Sequence, residues 1–122
     1  MAQKRLLVVD DEAEIAAVIQ KCGEQLGFSV DVAADGVDGF AKAQNGDYDL
    51  VCMDIRMPMW SGVGSSTAIK LLKPEQKILV ISGYLDDETI EQLEEHVRVV
   101  GWMRKPFEVQ VLLAKLKAIA EA

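Results

Sequence analysis

The stretch Leu50-Val51-Cys52-Met53-Asp54, followed by Ile55-Arg56-Met57-Pro58, decides how this chain folds. Four apolar residues run straight into a carboxylate, and a proline lies shortly beyond it. A short unbroken apolar run bounded by breakers is the pattern of a strand buried on both faces, as in a parallel sheet. Asp54 therefore stands where a buried strand surfaces. A lone aspartate at such a place is ordinarily a turn or helix cap. What raises Asp54 is that the neighbouring runs end in equally pointed residues.

Working outward, Leu6 to Val9 is a second such run and closes on Asp10-Asp11-Glu12. Ile78 to Ile81 is another, stopping at Ser82-Gly83, and Val99 to Met103 runs into Arg104-Lys105-Pro106. Phe28 to Ala33 alternates with period two, as a half-exposed edge strand should. Helical periodicity fills the gaps. Ile15, Ile19, Cys22 and Leu26 form one apolar stripe that Gly27 ends. After a turn at Asp35-Gly36, Val37, Phe40 and Ala41 mark a second helix that stops near Asn45-Gly46. A loop with Pro58 and Gly62 leads to a third helix carrying Ile69 and Leu72 and ending at Pro74. Asp86-Asp87-Glu88 opens a fourth, with Ile90, Leu93 and Val97 on one face; its acidic first turn suits the positive end of the helix dipole. The final helix, from about Glu108, is expected to bury Leu112, Leu113, Leu116 and Ile119.

Five strands alternating with five helices predict an open α/β sheet with helices on both faces. Right-handed crossovers then make the strands parallel. All their C-terminal ends lie on one edge, where ligands bind in open α/β folds. Asp10, Asp11, Asp54, Ser82 and Lys105 collapse onto that single rim.

The 122 residues suit one domain, 1–122, with no linker or internal repeat. With 13 Lys and Arg against 20 Asp and Glu, the net charge of −7 argues against a nucleic-acid or anionic-membrane surface. Cys22 and Cys52 sit in apolar contexts without metal-type spacing, so buried free thiols and a reducing cytoplasm are expected. The N-terminal apolar run is too short for a signal peptide, and no stretch is long enough to span a bilayer.

Three carboxylates at close range raise one another's pKa unless a cation offsets them. Oxygen-only ligands favour a hard ion such as Mg²⁺, which takes one or two carboxylates plus a phosphate oxygen. Ser82 can donate a hydrogen bond to an anion, and Lys105 brings a compact positive charge. Together these groups describe a site that handles a phosphoryl group by positioning and charge neutralisation. Neither GxxxxGK[ST] nor GxGxxG is present, so a nucleotide donor is not expected.

Four motifs in order, Leu-Val-Val-Asp-Asp-Glu at 7–12, Met-Asp-Ile-Arg-Met-Pro at 53–58 with Gly62, Ile-Ser-Gly at 81–83 and Lys-Pro-Phe at 105–107, resemble the receiver domain of two-component response regulators. The resemblance covers essentially the whole chain. It implies a three-layer, CheY-like (flavodoxin-like) (βα)5 fold with strand order 2-1-3-4-5. It also implies that Asp54 is the phosphoacceptor and that Asp11 and Asp54 bind Mg²⁺ directly with the backbone carbonyl of Arg56, Asp10 acting mostly through a metal-bound water. Ser82 would hydrogen-bond the phosphoryl group, Lys105 would ion-pair with it, and the Lys105-Pro106 bond would be cis. The implied donor is a sensor histidine kinase or histidine phosphotransfer protein. The implied output is a downstream protein bound on the face of the fourth helix, fifth strand and fifth helix, with no turnover of outside substrates.

Trp102 stands where the family usually carries a Tyr or Phe whose rotamer reports phosphorylation. It is expected to toggle with a smaller or slower swing, the alternative being a tryptophan fixed in the core. Arg56 and Tyr84 flank the acceptor and, being long, are expected to slow self-dephosphorylation. Trp60 is a loop aromatic, read as a partner contact or as local packing. His96, the only histidine, is read as an exposed residue without catalytic work. The chain ends about a turn after the last apolar residue of the final helix, which suggests a stand-alone receiver; a module of a longer regulator or hybrid kinase is the alternative. Two rival functions stay open. A small Mg²⁺-dependent phosphatase with an aspartyl-phosphate intermediate would want a second acid two residues past Asp54, where Arg56 stands. The other is an interaction module that is never phosphorylated, which a lack of Mg²⁺ binding would favour.

Overall fold

The computed structural model describes residues 3–55, 74–83, 85–96 and 98–121. The expected third helix with Ile69 and Leu72, together with Arg56, Pro58, Trp60, Gly62, Tyr84, Val97 and the side chain of His96, lies outside the described residues. The strands are β1 (Arg5–Val9), β2 (Ser29–Ala33), β3 (Leu50–Met53), β4 (Lys77–Ser82) and β5 (Arg98–Arg104). The described helices are α1 (Ala13–Gln25), α2 (Gly36–Asn45), α3 (Asp87–His96), which is the expected fourth helix, and α4 (Val109–Glu121), the expected fifth. The five strands are all parallel in the order β2-β1-β3-β4-β5. This is the CheY-like, flavodoxin-like arrangement.

The unbroken apolar runs find their explanation in the two faces of the sheet. Successive side chains of a strand point to opposite faces. Leu6, Val8, Cys52, Leu79 and Ile81 accordingly face one core with Ile19 and Cys22 of α1 and Leu112 and Leu116 of α4. Leu7, Val9, Val51, Met53, Ile78 and Val80 face the other, with Ala43 of α2 and Leu93 of α3. A strand covered on both sides has no place for a polar residue until it leaves the sheet, which is why the chemistry is pushed to the strand ends. The edge strand β2 begins exposed and is only half-buried along most of its length, as its alternating sequence predicts.

Local signals set the helix boundaries. Gly27, at φ 93°, takes the left-handed conformation that ends α1. Asp35 caps α2 by accepting from the Asp38 amide at 2.8 Å, and Asp86 caps α3 by accepting from Thr89 at 2.7 Å. On α2 the apolar residues that mark the helix in sequence are not all the ones it buries. Val37 is 49% exposed and Ala41 is also exposed, while Gly36, Gly39 and Ala43 turn inward. The cause is close approach: a Cβ on Gly39 would lie 2.8 Å from both methyls of Val9, so the helix presses its small residues onto β1. Periodicity sees hydrophobicity but not this demand for smallness. Cys22 and Cys52 are buried free thiols, as expected. No helix among the described residues is long and apolar enough to cross a membrane.

Candidate phosphoryl site

The sheet itself assembles the site, because the backbone ladder continues one rung beyond the strands. The amide of Asp10 donates to Ala33 at 3.0 Å, that of Asp54 to Val9 at 3.0 Å, and that of Lys105 to Ser82 at 2.9 Å. Each functional residue is thus fixed by the strand beside it. Asp10, Asp54 and Ser82 are buried, whereas Asp11 is exposed at the mouth. The Lys105-Pro106 bond is cis, in agreement with the expectation.

Lys105 lies at the centre. Its Nζ is 2.8 Å from Asp10 Oδ2, 2.9 Å from Asp54 Oδ2 and 2.9 Å from Glu12 Oε1. Burial alone would lower the Lys105 pKa, but its hydrogen bonds to Asp10, Asp54 and Glu12 carry it well above the ordinary lysine value. Burial pushes the Asp10 carboxyl up, only partly offset by Lys105 and by the Glu12 amide, which donates to its Oδ1 at 2.9 Å. Among the described residues, one ammonium stands among four acids.

Carboxylate oxygens of Asp10, Asp11, Glu12 and Asp54 all come within 4.8 Å of one another, a spacing and donor set that fit a hard divalent cation. Beside them a cavity of about 390 Å³ is lined by Glu12, Ile15, Asp54, Ser82, Gly83, Lys105 and Pro106. A phosphoryl group entering it would meet the Asp54 carboxylate, the Ser82 hydroxyl and the Lys105 ammonium together. A second cavity, of about 270 Å³, opens at the opposite edge of the sheet, where Lys4 and Lys77 are mixed with Asp49 and Glu75. It offers no such convergence.

All five residues expected on the rim are therefore together. Trp102 is placed apart from them on β5, half-buried against the core that contains Leu93, with its carbonyl accepting from Lys115 Nζ at 3.3 Å. Two residues escaped the sequence reading. Glu12, quoted in the first motif but given no role there, joins the Lys105 cluster. Arg104 donates to the Leu85 carbonyl at 2.8 Å and ties the end of β5 to the loop after β4. The acidic run at 10–12 signalled the first; nothing in the local sequence signals the second.

Comparison with known proteins settles the family. Residues 6–117 match the response regulator receiver domain. The chain belongs to that family, the receiver domains of two-component systems. Among curated relatives, the transcriptional regulatory protein DltR of Streptococcus agalactiae is 35% identical over 114 residues, covering 93% of this chain and 50% of DltR. The chain thus spans about half the length of the curated relatives it matches. Among solved structures, a CheY-like receiver domain protein from Methanospirillum hungatei superposes with a TM-score of 0.91 at 28% identity, covering 98% of this chain and 96% of that one. The response regulator TrrA of Thermotoga maritima, solved in complex with Mg²⁺ and a beryllium fluoride, gives a TM-score of 0.83 at 30% identity over 95% of this receiver and 98% of TrrA.

Proposed function

We propose that this receiver is a Mg²⁺-dependent phosphoacceptor switch working as one unit over the whole chain. The observation that carries the reading is the single ammonium of Lys105 held 2.8–2.9 Å from both Asp10 and Asp54 at the mouth of a cavity that also presents Ser82. A carboxylate paired with a single ammonium, in a site whose described residues carry more acids than cations, suits a reaction that brings in a cation and an anion together. TrrA, which binds Mg²⁺ and a beryllium fluoride, supports this assignment by likeness.

In this reading a carboxylate oxygen of Asp54 attacks the phosphorus of a phosphohistidine on a sensor kinase or histidine phosphotransfer protein. The phosphorus–nitrogen bond breaks, its electron pair stays on the imidazole, and an acyl phosphate forms. Asp10, Asp11 and Asp54, with the Arg56 backbone carbonyl, would hold Mg²⁺, which supplies neutralisation of the phosphoryl oxygens when bound. Lys105 moves its ion pair from Asp54 to the new phosphoryl group, and Ser82 donates its hydroxyl to it. Arg56 and Tyr84 are assigned the shielding of the acyl phosphate from water. The switch carries no turnover activity on outside substrates.

The output is assigned to the face of α3, β5 and α4. Val109 and Val111 of α4 are 46% and 49% exposed there, beside a cavity of about 410 Å³ that includes Trp102 and Phe107. Such exposed apolar groups suit a protein partner. Trp102 transmits the change if it repacks when Ser82 moves. Any shift requires the phosphoryl group to favour one state over the other. The buried thiols Cys22 and Cys52 suit a reducing, cytoplasmic setting.

The deciding experiment is intact-mass detection after incubation with acetyl phosphate and Mg²⁺, and separately with a phosphorylated kinase. The wild type is expected to gain one phosphoryl group, Asp54→Asn none, and chelation of Mg²⁺ is expected to stop the gain. Phosphorylation that persists in Asp54→Asn would overturn the assignment. A wild type that accepts nothing from either donor would favour an unphosphorylated interaction module.

A further inference from the structure

Glu12 occupies the N-cap of α1, yet its side chain makes no capping hydrogen bond. Its backbone does the ordinary work, since its carbonyl accepts from Ala16 at 2.9 Å and its amide is held by Asp10. An N-cap side chain normally accepts from an amide of the first turn. This one instead reaches across the site to Lys105, 93 residues away in sequence, at 2.9 Å. It also lines the cavity wall facing Gly83 and Pro106. A residue that forgoes its local partner for a distant one is held there by the distant one.

We propose that Glu12 is a positioning residue that retains Lys105 in the resting geometry and competes with the incoming phosphoryl group for it. The inference rests on the phosphoacceptor reading and deepens it. Lys105 has three resting partners, and they are not equivalent. Asp10 and Asp54 are buried and, in that reading, pass to the cation, which releases Lys105 from them. Glu12 has a side chain 57% exposed and, although its carboxylate lies within 4.8 Å of the other acids, the cation set proposed above, Asp10, Asp11, Asp54 and the Arg56 carbonyl, does not draw on it. Its hold on Lys105 therefore persists when the cation arrives and must be broken for Lys105 to reach the phosphoryl oxygens. The exposed carboxylate also stands at the mouth through which an anion enters. Both effects act in one direction, against occupancy by an anion.

The test is calorimetric titration of beryllofluoride into the full chain at saturating Mg²⁺. Glu12→Gln is expected to bind about two- to fivefold more tightly than wild type, the range of a partly exposed ion pair. Its melting temperature should shift by no more than a few degrees, because the side chain caps nothing and a partly exposed ion pair contributes at most about 1 kcal/mol. Glu14→Gln removes an equal charge from the exposed first turn of α1 and is expected to bind as wild type does. Glu12→Asp keeps the charge but is a methylene short of Lys105, and should shift in the same direction as Glu12→Gln. Unchanged or weaker binding by Glu12→Gln overturns the proposal, as does an equal gain in Glu14→Gln. Wild-type affinity in Glu12→Asp would assign the effect to charge alone and overturn the contact. A wild type that binds no beryllofluoride removes the phosphoacceptor reading and this inference with it. Binding by wild type with no effect at Glu12 removes only the inference.

Discussion

Lys105→Met is expected to lower the stability of the domain by about 3 kcal/mol at neutral pH without Mg²⁺. Methionine matches the length of the lysine stem, so little packing is lost and the effect isolates the charge. Without the ammonium, the side chains of Asp10 and Asp54, only 2% and 4% exposed, are left facing each other without the Lys105 counter-charge. Removing one partner of a buried pair strands the other, and that desolvated charge dominates the cost. Here two are stranded. The loss is placed at the low end of the usual range because Asp10 can escape by taking up a proton, and burial already pushes its carboxyl upward.

The sign of the pH dependence follows. A carboxyl whose folded pKa is raised contributes stability below its unfolded value, 3.8 for Asp10, and loses it as pH rises through the folded value. The deficit of Lys105→Met relative to wild type should therefore be largest at neutral pH and shrink on acidification. Mg²⁺ should act on the same carboxylates. A ligand that binds only the folded state stabilises it by RT ln(1 + [L]/Kd). In the variant the cation no longer competes with an ammonium, so Mg²⁺ should raise the denaturation midpoint more than it does in wild type. A variant as stable as wild type at neutral pH, or one indifferent to Mg²⁺, would show that the carboxylates are not under the strain inferred from their geometry.

How much of this was legible beforehand depends on which physical signal each residue leaves in the sequence. The rim was legible because burial on both faces forbids polar residues inside β1, β3 and β4. Asp10, Asp54 and Ser82 thus stood out as interruptions at the ends of apolar runs, and parallel connectivity alone put them on one edge. The face of α2 was not legible. Val37 is apolar and exposed, while Gly39 is buried for being small against Val9. Hydrophobic periodicity ranks those two residues in the wrong order. Glu12 was visible as an acid but not as a partner of Lys105, since the pairing joins the two ends of the chain and depends on a side-chain direction that no spacing encodes. The strand order 2-1-3-4-5 came from the family resemblance, because parallel crossovers limit the hand of each connection but not which strands become neighbours.

The second large effect is expected in the core beneath β5. Leu79 is fully buried on β4, and Leu79→Ala should cost about 3–4 kcal/mol through lost transfer energy and the cavity left behind. Across the ladder the register slips. Ile78 pairs with Val99 but Leu79 pairs with Gly101, so β5 holds one extra residue at Val100. At Gly101 a Cβ would lie 3.0 Å from Leu79 Cδ1 and 3.4 Å from Lys115 Cδ. Gly101→Ala alone should therefore destabilise by about 1 kcal/mol, since its neighbours must give way in a close-packed site. In a Leu79→Ala background the obstructing methyl is gone and the new Cβ enters the vacated space. The two changes should be non-additive by at least about 1 kcal/mol in the stabilising direction, measured by chemical denaturation of all four proteins. Additive costs would mean that the contact relaxes freely and that Gly101 has another reason to be glycine. The coupling matters beyond the core. The smallness of Gly101 lets the Lys115 stem lie across β5 and reach the Trp102 carbonyl, so Leu79, Gly101 and Lys115 together hold the strand that carries Trp102. If that packing is as tight as the distances indicate, Trp102 cannot move by shifting its backbone, and any change at this face must come from its side chain.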